Sequence, residues 1–254
     1  MTHTAFTAIQ EYKAAVASLV GRYAPLSAEL VRLTEEASRE DTPPYSHDTP
    51  VVYNTAWDGI TEEDEIRLIV VGDNPGKEEQ LATKRAYLVG QSGRVAEGFF
   101  RRNPSLGVDF RRNAMITNKT PLHTAKTKHL KYLSAKGSPA VARAIQESQL
   151  EMARLTARLH QRLFAEGGTR LYMVGYAELK GRGMFLDWRD ELARCYQPCP
   201  DAWEHVLAFQ HFSMNRFLVD LKNYMEENRE TDVARALDAL GRQHRDEIWG
   251  GPKP

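Results

Sequence analysis

Arg67-Leu68-Ile69-Val70-Val71-Gly72-Asp73-Asn74-Pro75-Gly76 carries the reading on which the fold depends. Four apolar residues, three of them β-branched, run without alternation into Gly, two polar residues and Pro-Gly. That pattern marks a strand buried on both faces that ends abruptly in a turn, and strands of this kind belong to parallel sheets. Pro75 has no amide hydrogen to extend a ladder, and Gly76 tolerates dihedrals that other residues avoid. Asp73 and Asn74 are therefore displayed at the carboxyl end of the strand, where open α/β sheets bind their ligands.

Outward from this strand the chain repeats the signal. Ala114-Met115-Ile116-Thr117, ending on Asn118, reads as a second strand, Thr169 to Gly175 as a third, and Val206 to Gln210, ending on His211, as a fourth. Residues 6 to 38 read as two helices broken at Tyr23-Ala24-Pro25-Leu26-Ser27, with Ser27 as N-cap of the second. Residues 40 to 48, with two prolines, read as a linker, and 51 to 61 as an extended approach to the first sheet strand. Lys77-Glu78-Glu79-Gln80 looks like a helix start with acids at its positive end. Two glycines in Val89-Gly90-Gln91-Ser92-Gly93-Arg94 open a short helix over 95 to 100, whose amides suit a phosphate. A basic, His-containing loop to Pro139 leads into a long helix over 139 to 164. Helices are also expected near 177–186, 213–228 and 232–244, with an irregular segment over 187–204 rich in Pro and Trp. Strands separated by helical stretches predict one α/β domain over 1–254. It is expected to be a three-layer α/β/α sandwich on a central, mostly parallel four-stranded sheet, with a helical extension over residues 1–60 packed on it.

Composition narrows the functional classes. With 254 residues and 42% hydrophobic content the chain can build a substantial core. No apolar run approaches the roughly 20 residues of a membrane span, and the start lacks the pattern of a signal peptide, which predicts a cytoplasmic protein. The two cysteines, Cys195 and Cys199, cannot supply four ligands to zinc or an iron–sulfur cluster, so no metal or cofactor is expected. Lysine plus arginine equals aspartate plus glutamate at 34 each, yet the segment from Lys84 to Lys136 holds twelve basic residues against two acids. Such a local excess is the footprint of a polyanion, unless acids from elsewhere fold over it.

In a parallel sheet the carboxyl ends of all strands lie on one edge. Asp73 and Asn74, Asn118, and His211 with Ser213 would therefore converge on one crevice. An acid, two amides, an imidazole and a hydroxyl could hydrolyse a bond or merely bind a heterocycle.

These residues also carry a resemblance. Gly72-Asp73-Asn74-Pro75-Gly76, Val89-Gly90-Gln91-Ser92-Gly93-Arg94, Ile116-Thr117-Asn118 and His211-Phe212-Ser213-Met214-Asn215-Arg216 resemble, in order, the motifs of the uracil-DNA glycosylase superfamily, over about residues 67 to 220. The resemblance implies removal of uracil or a related deaminated base from DNA after the nucleotide is flipped from the stack. Under it, Asp73, Asn74 and His211 are catalytic: the first two position water and stabilise a cationic sugar, with the division between them open, and His211 meets charge on the departing base. Gly72, Tyr87, Leu88 and Asn118 would hold the base, and Ser92, Gly93, Arg94, Lys119, Ser213, Met214 and Arg216 would hold DNA. The chain departs from the family pattern at several points. Leu88 stands where the iron–sulfur branch has Phe, with Tyr87 one residue early. Phe212 replaces Pro, and Asn215 replaces an apolar wedge, a role that passes to Met214. The cluster cysteines are missing. A monomeric, metal-free glycosylase acting on DNA is the expectation; a noncatalytic nucleic-acid or nucleobase binder of the same superfamily is the alternative. A dinucleotide enzyme is disfavoured because G-x-G-x-x-G is absent.

Overall fold

The computed structural model describes residues 1–250. Helices α1 (His3–Tyr23) and α2 (Ser27–Ser38) are joined by a single 3-10 turn, and strand β1 (Leu68–Gly72) follows an irregular approach. After β1 come α3 (Gln91–Arg102), β2 (Ala114–Asn118), α4 (His129–Lys136) and the crossover helix α5 (Pro139–Gly167). Next are β3 (Arg170–Val174), α6 (Leu186–Tyr196), the one-turn α7 (Pro200–Trp203), β4 (Val206–Phe209), α8 (Arg216–Asn228) and α9 (Val233–Trp249).

The four strands form one sheet in the order β2-β1-β3-β4, all parallel. Helices α1, α5 and α6 gather on one side and α3, α8 and α9 on the other, a three-layer α/β/α sandwich as expected. Burial on both faces explains the unbroken apolar runs: Leu68 to Val71 and Leu171 to Val174 are all buried. The N-terminal helices belong to this core. The Tyr12 hydroxyl shares a hydrogen bond of 2.5 Å with Thr117 Oγ1 on β2. On the opposite face the ring of Phe209 (β4) meets Phe217 of α8 at 5.5 Å.

Four local expectations are corrected. Ser27 is the first residue of α2 rather than its N-cap, its hydroxyl donating back to Ala24 O. Residues 77–80 form turns, not a helix, because Gln80 is drawn away to bridge the 46–49 backbone. A helix, α4, interrupts the loop before Pro139 and buries His129, Leu130 and Leu133. The helix expected near 177–186 is only a 3-10 turn over Tyr176–Leu179, and the regular helix lies further on, at α6, inside the segment read as irregular.

Candidate functional site

The carboxyl edge of the sheet opens into a cleft of about 570 Å³ lined by residues from every strand end: Asp73 and Asn74 after β1, Asn118 on β2, Gly175 after β3, and Gln210 and His211 after β4. Glycines decide how closely these groups approach. A Cβ on Gly72 would lie 2.4 Å from Asn118 Oδ1, so only glycine lets the Asn118 side chain lie across the end of β1. Gly175, at φ +85°, leaves the space filled by the Asp73 carboxylate; a Cβ there would come within 2.5 Å of Oδ1.

Both carboxylate oxygens of Asp73 are engaged. Lys119 Nζ donates to Oδ1 at 2.6 Å and Thr127 Oγ1 donates to Oδ2 at 3.2 Å. Asn74 is tied down through its amide nitrogen, which donates to Thr124 Oγ1 at 2.9 Å and to Thr124 O and Pro75 O, each at 3.2 Å. Its Oδ1 remains free to accept from a ligand. Asn118 is buried, and its Nδ2 has no hydrogen-bond partner. An orphaned buried amide at the floor of a cleft calls for an acceptor from a ligand. Glu79 lines the same cleft as Asn118. Burial pushes the Glu79 carboxyl up to about 7, against the pull of the Gly76 and Leu88 amides and of Asn118.

His211 is only partly exposed. The Ser213 backbone N–H donates to His211 Nδ1 at 3.0 Å, so in the neutral ring Nδ1 is the acceptor and the proton sits on Nε2. Burial lowers the His211 pKa, with Lys119 and Arg216 adding to the effect and Asp73 opposing it. A neutral imidazole with an Nε2–H donor therefore faces the cleft.

The rim carries backbone strain. Leu88, Met214 and Asn215 adopt left-handed φ values of 50°, 53° and 55°. Non-glycine residues pay for that conformation, and such strain clusters at functional sites. Met214 is 71% exposed and lines the cleft.

The remaining expected residues divide cleanly. Ser92, Ser213 and Arg216 line the cleft, and Arg94 is exposed beside it, whereas Gly93 is buried within α3. Tyr87 does not line the cleft. Its ring meets Trp57 edge-on at 5.7 Å and its hydroxyl donates to Val52 O at 2.6 Å, so it is a core residue, and of the two only Leu88 lines the cleft. Lys119, expected to hold DNA, is wholly buried and cannot reach a phosphate. The basic segment is also partly neutralised in the fold. Lys84 pairs with Glu78, Arg111 with Glu97, Lys119 with Asp73, and Lys126 and Lys128 both with Asp41 of the linker.

Sequence reasoning passed over Thr124, Thr127, Gly175 and Glu79. The first two lie in a loop whose lysines drew the reading, and Gly175 looked like an ordinary strand end. Glu79 alone carries a signal, an acid three residues beyond a Pro-Gly turn, but in the sequence it reads as one of the acids at the positive end of a helix start.

Fold and cleft define an α/β/α sandwich that gathers an acid, two amides and a neutral imidazole at the carboxyl edge of a parallel sheet. Comparison with protein-family models, curated proteins and solved structures returned no match to this chain. Among the described residues no helix is long and apolar enough to cross a membrane.

Proposed function

We propose that this chain is a uracil-DNA-glycosylase-like hydrolase that removes uracil or a related deaminated base from DNA, acting as a cytoplasmic monomer without a metal. The observation that carries the reading is the convergence on one cleft of Asp73, the unpartnered Asn118 amide and the Nε2–H of His211. In this reading a flipped base enters the cleft, where the Asn118 amide satisfies its orphaned donor on a base carbonyl and its Oδ1 accepts the ring N–H. As the glycosidic bond breaks, its electron pair leaves on the base, and His211 Nε2–H donates to the base oxygen where that charge gathers. The Asp73 carboxylate offsets positive charge on the sugar. Asn74 Oδ1 orients the water whose oxygen bonds to the anomeric carbon and whose proton passes to solvent. Met214, strained and exposed at the rim, fills the gap left in the duplex.

A second reading, a noncatalytic nucleobase binder of the same superfamily, draws support from two observations. No Phe, Tyr or Trp lines the cleft, and both oxygens of Asp73 already have partners.

Labelled oligonucleotides carrying one uracil, single-stranded and paired with guanine or adenine, separate the two readings when alkali reveals abasic sites. Wild type is expected to cleave, with Asp73→Asn and His211→Ala reduced by orders of magnitude at unchanged affinity. Tight binding with no cleavage on these or on oligonucleotides carrying hypoxanthine or xanthine would establish the binder instead.

A further inference from the structure

Lys119, wholly buried behind the cleft, holds a charge that the reaction outlined above does not use. An ammonium has three protons and no acceptor. Here all three are spent, on Asp73 Oδ1 at 2.6 Å, Val174 O at 2.7 Å and Gly72 O at 3.3 Å. Those acceptors sit at the ends of different strands: Gly72 closes β1, Val174 closes β3, and Lys119 itself follows the last residue of β2. In the sheet order β2-β1-β3 these are three adjacent strands. From below, the rings of Phe185 and Trp188 stand 5.2 and 5.7 Å from Nζ, shutting out water. Burial lowers the Lys119 pKa, and the Asp73 carboxylate pulls it back up.

A buried ion pair is a poor source of stability, because desolvation consumes what the attraction yields. Its clearest benefit is geometric. We propose that Lys119 is the positioning residue of the cleft: one ammonium that ties the carboxyl ends of β1, β2 and β3 together and aims the Asp73 carboxylate, with no contact to DNA. The proposal rests on the glycosylase reading for its kinetic consequence, but the tie itself can be observed without catalysis. In the reaction Lys119 acts through the Asp73 carboxylate, which must meet the flipped nucleotide in one position. A displacement of about 1 Å at such a centre costs roughly 10²-fold in rate.

The test combines kinetics on single-stranded uracil oligonucleotide with the ammonium proton–nitrogen resonance of Lys119 in nitrogen-15-labelled protein. Four chains are compared: wild type, Lys119→Met, Asp73→Asn and the double variant. Lys119→Met is expected to lose about 10²-fold in kcat with KM within about threefold, and the double variant to match Asp73→Asn, because removing the positioner of an absent carboxylate costs nothing more. Wild type is expected to show a Lys119 ammonium signal protected from solvent exchange, lost in Asp73→Asn. Independent, multiplying losses in kcat, or a signal indifferent to Asp73→Asn, would overturn the proposal. Should Lys119→Met fail to fold, recovery of folding in the double variant supports the tie, whereas failure of both makes Lys119 a packing residue and overturns it. A wild-type protein silent on uracil, hypoxanthine and xanthine substrates refutes the glycosylase reading alone. The ammonium signal and the coupling of the two substitutions in unfolding free energy then decide the case for Lys119.

Discussion

Replacing Gly175 by alanine puts a methyl group where Asp73 holds its carboxylate. The added Cβ would lie 2.5 Å from Oδ1 and 2.8 Å from Oδ2, whereas ordinary contact begins at 3.4 Å, so the carboxylate must retreat by about 0.9 Å. It has little room to do so, being clamped between Lys119 and Thr127. At φ +85° alanine also pays the left-handed penalty of roughly 1–2 kcal/mol. At about 2–4 °C per kcal/mol for a chain of this size, the backbone term alone lowers Tm by roughly 2–8 °C. The displacement of Asp73 should lower kcat for uracil release by about 10²-fold. Gly181→Ala provides the control: its φ is +56° and nothing lies within 4 Å of the new Cβ, so it should lose stability without losing kcat. Thermal unfolding and single-turnover base release on both variants separate strain from displacement. Equal kcat for Gly175→Ala and Gly181→Ala would falsify the claim that Asp73 works only in this position.

Three further outcomes are expected. Met214→Gly should reduce release from duplex by about tenfold or more, in line with an unstacking cost of a few kcal/mol, while leaving single-stranded substrate within twofold; equal losses on both would remove Met214 from the wedge role. His160, whose Nε2–H donates to Thr169 O and whose Nδ1 accepts from Tyr196, is driven down to about 4 by burial. Since this lies below the unfolded value of about 6.5, the unfolded chain takes up the proton first, and stability present above about pH 6.5 falls as the pH drops towards 4. Between pH 7 and pH 5 wild type should therefore lose about 2 kcal/mol relative to His160→Gln in urea unfolding, and a constant difference would mean that His160 is not buried neutral. Finally, five of the twelve basic residues between Lys84 and Lys136 already have carboxylate partners, which leaves seven. If this segment supplies the phosphate contacts, log Kobs against log salt for duplex DNA should have a slope no steeper than about −6, and a slope near −10 would show that the internal pairs break on binding.

The sheet was legible because burial on both faces leaves strands such as Ile69 to Val71 no reason to alternate, and because Gly72, Gly175 and His211 punctuate them. The edge that carries the candidate site follows from topology: once the strands are parallel, Asp73, Asn118 and His211 must share a side. Depth was illegible. Lys119 and Tyr87 carry residue types suited to DNA and to base stacking, but whether a side chain points outward depends on packing partners distant in sequence. For Lys119 these are Phe185 and Trp188, and for Tyr87 they are Val52 and Trp57. Helices α4 and α6 were obscured because charged and aromatic residues crowd their short apolar stripes. The pairing of Asp41 with Lys126 and Lys128 spans more than 80 residues and has no local signature.

The hydrogen bond between Tyr12 and Thr117 has a consequence for how this architecture can be divided. Thr117 immediately precedes Asn118, so the first helix braces, from behind, the strand that carries the Asn118 amide into the cleft. A fragment beginning near residue 60 would retain every candidate site residue, yet it would expose the face that α1 covers and leave Thr117 without its hydroxyl partner. The cleft is therefore not a transplantable cassette: grafting the 67–220 region into another scaffold would require a surrogate for the first helix.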